Sequence, residues 1–339
     1  MKIAAVPKII GIILLAVSLL VSTAYSARKQ VIKIATLTPE GSPWMEVFNT
    51  INAEVMEKTA KQVRFRVYAG GVLGDEQDLI RKMYIGQIHG AVITASSLTT
   101  IFKEMDVLQV PFLFQGYDEV DYVIHKMDAF FKKGLEDNGY TLLGWSEGGF
   151  IRLMSITPMA TLDDLRKGKI WVWEDAPMAK AIFKEAKVSG IPLSAPDVLV
   201  GLQTGLVDVV YAPPAGAISL QWFTKIKYIT DVPLMYLTGS IIVKKEVFNR
   251  LSAEHQAILV DTFQRHMGRF REIVRKGNRD ALRVMTKHGI QLVNVSNDEI
   301  DEFKILSERA VQQPGSRRFS DAALEQISTY LKEYRRDNQ

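Results

Sequence analysis

The chain has 339 residues, 47% of them apolar, 24% charged and 9% aromatic, enough for the core of one large or two ordinary domains and incompatible with intrinsic disorder or collagen-like order. It has no cysteine, which excludes disulfide frameworks, thiolate zinc sites, iron–sulfur clusters, cysteine nucleophiles and lipid attachment at an N-terminal cysteine. Of the 42 basic residues Lys2 and Lys8 belong to an N-terminal leader, leaving 40 against 38 acidic ones, a balance that argues against nucleic acid as a partner.

Residues 1–26 read as a secretory signal peptide. Lys2 and Lys8 precede an apolar run from Ile9 to Val21, and Ala24-Tyr25-Ser26 offers small residues at the positions a signal peptidase reads. As a helix that run would be roughly 20 Å long, short of the roughly 30 Å hydrocarbon core. The reading is a cleaved leader and a soluble periplasmic protein, with an uncleaved anchor as the alternative.

From Gln30 onward, short β-branched runs alternate with amphipathic segments. Val31–Ala35 reads as a strand. Pro43–Thr59 reads as a helix entered through Ser42, and Val63–Tyr68 as a second strand. Helix over 75–85, strand over 90–94, helix over 118–138 and strand over 141–145 continue the alternation, which implies an α/β sheet with mostly parallel neighbours. A second unit begins near Gly148, with helices at 162–166, 177–186 and 197–204 and strands at 169–173 and 207–211. Strands at 228–230 and 240–243 cross back. Ser252 to about His288 then forms one long helix whose stripe of Leu259, Phe263, Met267, Phe270, Val274, Ala281 and Met285 spans roughly 50 Å, more than a single lobe. Its arginines and lysines read either as a solvated face or as a site for an anionic partner.

Enzyme signatures are missing. The five histidines are unpaired at helical metal spacing, and no Walker loop, dinucleotide fingerprint or nucleophile elbow occurs. Gly70-Gly71-Val72-Leu73-Gly74 is a glycine-rich turn, either a connection needing positive φ or a backbone nest facing a ligand. Aromatic side chains gather at predicted loop and strand ends: Trp44, Phe150, Trp171, Trp173, Tyr211 and Trp222. Trp171 and Trp173 share a strand face, which is either core or a cleft wall beside the loop at Glu174-Asp175-Ala176-Pro177.

Consecutive blocks carry a family resemblance: Pro39-Glu40-Gly41-Ser42-Pro43-Trp44, Leu73-Gly74-Asp75-Glu76, Leu108 to Phe114, Leu143-Gly144-Trp145, Asp163 to Ile170, and Leu202-Gln203-Thr204-Gly205-Leu206-Val207-Asp208. In this order they resemble the TRAP-transporter substrate-binding proteins of the dicarboxylate-receptor type. The resemblance implies a type II-like, two-lobed α/β periplasmic binding protein with a long C-terminal bracing helix, and no enzymatic activity or cofactor. It also implies hinge closure on a ligand and delivery to TRAP permease subunits. The expected lobes are residues 27–148 with about 235–265, and 149–234 with about 266–339.

Departures from the family pattern set the expected ligand. Where the family usually carries a carboxylate-clamping arginine, this chain has Trp171, and Val209, Val210, Tyr211 and Ala212 precede Pro213 where polar or small residues are usual. Arg152 falls one residue late for the other cleft arginine. The expected ligand-binding residues are therefore Trp44, Phe150, Arg152, Trp171, Trp173, Tyr211 and Pro213, lining a cleft for a hydrophobic or amphipathic solute. A tetratricopeptide-repeat lipoprotein, which works beside some lineages of the family, would be an additional partner. A ligand sensor or lipid carrier on the same fold, uncoupled from uptake, is the alternative function.

Overall fold

A computed structural model describes residues 29–173, 176–313 and 319–338. The signal-peptide reading falls outside them, as do Glu174 and Asp175. In chain order the elements are β1 (Gln30–Ala35), α1 (Pro43–Lys58), β2 (Val63–Tyr68), α2 (Glu76–Tyr84), β3 (Gly90–Thr94), α3 (Ala95–Leu98), α4 (Tyr117–Asp137), β4 (Tyr140–Ser155), α5 (Leu162–Lys167), β5 (Ile170–Val172) and α6 (Pro177–Ala186). There follow β6 (Gly190–Pro192), α7 (Val198–Thr204), β7 (Val209–Ala212), α8 (Pro214–Ser219), β8 (Tyr228–Thr230), β9 (Met235–Lys244), α9 (Lys245–Phe248), α10 (Ala253–Lys287), β10 (Gln291–Val293), α11 (Asn297–Gln312) and α12 (Asp321–Asp337).

Local chemistry explains the boundaries. Ser42 caps α1 by accepting a bond from the Met45 amide at 3.3 Å, with Pro43 in the first turn where its missing N–H costs nothing. Thr161 and Asp164 form a reciprocal capping box on α5, and Ser252 caps α10 through the His255 amide. α6 ends at Lys187, which adopts the left-handed conformation at φ 57°.

The sheet order is β2-β1-β3-β9-β4-β7-β5-β6, with β8 on β4 and β10 on β8. β1 lies parallel between β2 and β3, whereas β9 runs antiparallel to both β3 and β4. The 16-residue β4 is longer than its predicted stretch: it pairs with β9 from Tyr140 to Ile151, then with β7 from Arg152 to Ser155. β4 and β9 thus run from one lobe into the other. Their pairing is irregular between Glu147 and Gly149, where Gly149 has φ +100°.

Each lobe has its own apolar packing. In lobe one, Phe48, Phe65 and Phe263 pack edge to face, which docks α10 on α1. In lobe two, Met154, Trp171, Val210, Trp222 and Met285 share a core, so the far end of α10 belongs there. The 35-residue helix therefore braces both lobes. The C-terminal remainder corrects the expected domain division. α11 packs on α6 in lobe two, but α12 packs on α4 and buries Ile327 and Leu331 in the lobe-one cluster.

Candidate functional site

The crossing from lobe one to lobe two is held by a charged knot that the sequence reading did not single out. Arg275 on α10 donates to both oxygens of Asp121 at 2.7 and 2.8 Å and to Glu147 at 3.0 and 3.1 Å. Its guanidinium lies 4.5 Å over the Tyr117 ring, and Tyr236 donates its hydroxyl to Glu147. Burial works against the Arg275 charge, but the two carboxylates more than offset it and hold its pKa above the ordinary guanidinium range. Burial, reinforced by Glu147, pushes the Tyr236 phenol upward, so it remains a neutral donor. Three positions on, Asn278 donates to the Gly148 carbonyl at 2.7 Å and accepts from the Ala215 amide at 3.0 Å, linking the crossing strand to lobe two.

The seven expected site residues fall into separate groups. Trp44 stacks on Phe48 at 5.4 Å and meets Phe270 edge-on, in the seam between α1 and α10 rather than beside the lobe-two aromatics. Phe150 packs between Tyr117 and Tyr236, 5.1 Å from each ring, against the knot. Arg152 is 19% exposed and its guanidinium is paired with Asp231, a partner 79 residues away. Pro213 is buried at the entry to α8 and lies close to Gly148.

Trp171, Trp173 and Tyr211 do come together. The Trp171 ring is 5.0 Å from both of the others and 5.2 Å from Trp222, and it is only 1% exposed. Its indole N–H donates to the Leu193 carbonyl at 2.9 Å. Of the two readings of that strand face, Trp171 follows the core one. Trp173 lies at the lobe boundary, its indole N–H donating to Asp75 of lobe one at 3.2 Å. Burial pushes the Tyr211 phenol upward, only partly opposed by the Trp173 backbone, and its hydroxyl forms no well-aligned hydrogen bond.

Tyr211 also lines an apolar cavity of about 110 Å³. A single water needs roughly 10–15 Å³ on that measure, so the space is larger than a water site. Ile151 and Leu153 of β4, Ile170 of β5, Ile182 and Phe183 of α6, Leu234 and Met235 at the start of β9, and Phe303 and Leu306 of α11 complete most of its wall. The one other hydroxyl on the wall, Ser307, is occupied by the Phe303 carbonyl. On β4, Ile151 and Leu153 face the cavity, while Arg152 between them points to Asp231: strand alternation puts the apolar neighbours of the predicted cation into the pocket. Apolar flanks on either side of Arg152 were the available signal. Asn278 was equally visible as a polar interruption between Val274 and Ala281 on the long apolar stripe.

Helix α6 lies over part of this cavity, whose wall Pro111 and Phe112 from the segment before α4 also join. Met178 and Ile182 join the continuous apolar cluster that includes Tyr68, Leu73, Phe114 and Tyr236, while Ala179, Ile182 and Phe183 line the cavity. The pocket lies where two lobes, a crossing strand pair and a two-faced helix meet.

Comparison with known proteins places this architecture. Residues 34–316 match the sequence model of DctP, the bacterial extracellular solute-binding proteins of family 7. The 2,3-diketo-L-gulonate-binding periplasmic protein of Escherichia coli is 25% identical over 244 residues, 71% of this chain and 74% of that protein. The C4-dicarboxylate-binding periplasmic protein DctP of Rhodobacter capsulatus is 24% identical over 284 residues, 81% of this chain and 83% of that protein. Among solved structures, the sugar-acid-binding protein of Advenella mimigardefordensis with galactonate superposes with a TM-score of 0.84 at 19% identity, covering 90% of this chain and 99% of that one. A TRAP solute-binding protein of Desulfovibrio salexigens with orotic acid gives a TM-score of 0.83 at 21% identity, covering 91% and 99%. The family match runs through both lobes and the whole of the long brace: the chain belongs to family 7 of the bacterial extracellular solute-binding proteins, the non-enzymatic periplasmic receptors of TRAP transporters, which pair with membrane permease subunits.

Proposed function

We propose that this TRAP-type receptor carries a hydrophobic or amphipathic solute whose apolar part occupies the cavity beneath α6, and that it passes this solute to its permease. The carrying observation is the apolar cavity wall, whose strand neighbour Arg152 is already paired with Asp231. A free carboxylate entering that apolar space loses hydration worth several kcal/mol unless a cation compensates. An alkyl group gains about 25 cal/mol for each Å² it removes from water. The relatives named above bind sugar acids or other carboxylates; the reading of a different ligand class here is supported by Trp171 standing where the family resemblance places a clamp arginine. An acidic head group would remain near the Arg152–Asp231 pair, where solvent lowers the cost of its charge.

Calorimetry with decanol, decanoate and succinate tests the proposal. The two ten-carbon compounds are expected to bind, succinate to give no heat, and Leu306→Arg at the cavity wall to abolish alkyl binding while the protein stays folded. Micromolar succinate binding that survives Leu306→Arg overturns the proposal, as does failure of both ten-carbon compounds to bind.

A further inference from the structure

The glycine-rich turn before α2 reaches across to lobe two. Gly70, Gly71 and Gly74 all have positive φ, and a Cβ on Gly74 would lie 2.3 Å from the Asp78 side chain. Glycine at position 74 therefore lets Asp75 and Asp78 close the capping box on α2. That cap uses only part of the Asp75 carboxylate: Oδ1 accepts from the Glu76 amide at 2.8 Å. Oδ2 accepts two bonds from the opposite lobe, from the Trp173 indole N–H and the Ala195 amide, both at 3.2 Å. In the same turn, a Cβ on Gly71 would stand 3.4 Å from the Pro196 ring, so this loop also touches the one that carries Ala195.

From this geometry we infer that Asp75 is an interlobe latch: one carboxylate that caps a lobe-one helix and, when the lobes close, receives a side-chain donor and a backbone donor from lobe two. The contact is charge-assisted, and it lies outside the wall of the apolar cavity. Closure therefore draws on a lobe-to-lobe bond as well as on the solute, and the closed form is populated in the solute-free protein. Trp173 is a closure residue through its N–H, whereas its ring remains part of the aromatic packing with Trp171. The inference holds for a solute of any chemistry and does not rest on the apolar-ligand proposal.

The absence of native cysteine allows clean paired spin labels at Tyr84→Cys in lobe one and Val200→Cys in lobe two, both exposed positions. Pulsed dipolar distances on delipidated protein read the ratio of closed to open forms. Trp173→Phe keeps a ring and removes the donor. Asp75→Ser keeps a helix cap but is too short to reach lobe two. The parent is expected to show a short-distance population, Trp173→Phe to lower the closed-to-open ratio about tenfold, and Asp75→Ser to lower it further. The double variant should fall no lower than Asp75→Ser. A parent with only the long distance, unchanged distances in both variants, or independent effects that multiply in the double variant would each overturn the latch.

Discussion

At the scale of single residues, Trp171 shows how position in the sheet decides a role that residue type leaves open. Its ring stands among Trp173, Tyr211 and Trp222 and its N–H is satisfied by Leu193. Trp171→Ala is therefore expected to lower global stability by about 3–5 kcal/mol through the cavity it creates, as measured by chemical denaturation. An unchanged midpoint would show that the ring is not part of the core. Arg152 makes a similar point for charge. The sequence supplied the cation, but its partner Asp231 follows β8, which reaches β4 only through sheet pairing, and no spacing rule joins residues so distant along the chain.

At the scale of elements, the bracing helix was legible because its apolar stripe repeats at the helical period over a length no single lobe can cover. Its chemistry was not. One arginine among many on its surface, Arg275, is drawn into the strand crossing by Asp121 and Glu147, while Arg283 and Lys276 merely pair with Asp280 on the same helix. Asn278 fastens the helix to both sides of the crossing. Asn278→Ala is expected to cost about 1–3 kcal/mol, because it leaves the Gly148 carbonyl and the Ala215 amide without their side-chain partner. Hydrogen exchange at Ala215 should accelerate selectively, and unaltered protection there would remove Asn278 from the brace. α6 was equally legible as a helix. Its two-faced role depends on α11 packing behind it, an element for which the sequence reading offered no counterpart.

At the scale of the whole molecule, stability should vary with pH through buried groups that burial and charge push in opposite directions. Burial raises the Glu76 carboxyl to about 7 despite bonds from Ser97 and Thr94. Between its ordinary value near 4.5 and 7, the folded state holds more protons than the unfolded one, so this group makes stability fall as pH rises, by up to about 3 kcal/mol. Burial, aided by Lys33, lowers the His89 pKa, so that group adds stability as pH rises through the region just below 6.5. Glu54, held far below the ordinary carboxylate range chiefly by Arg265 and then by His266, loses its contribution only in stronger acid. Comparing melting temperatures from pH 5 to 8 in the parent and in Glu76→Gln isolates the first effect. The variant should gain relative to the parent as pH rises, and parallel profiles would mean that Glu76 does not titrate in this window.

The sequence by itself determined what short-range chemistry controls: the alternation of strands and helices, the helix starts at Ser42, Thr161 and Ser252, the length of the brace and the family blocks in their order. Propensity, capping and periodicity act within a few residues, so they are written locally. Only the tertiary structure decided that β4 serves both lobes, that α12 returns to lobe one, that Trp171 is core, and that Arg152 and Arg275 are neutralised by Asp231, Asp121 and Glu147. Those outcomes depend on which distant surfaces share a burial layer. Desolvation and the pairing of buried charge are properties of that layer, and the one-dimensional pattern holds no record of it.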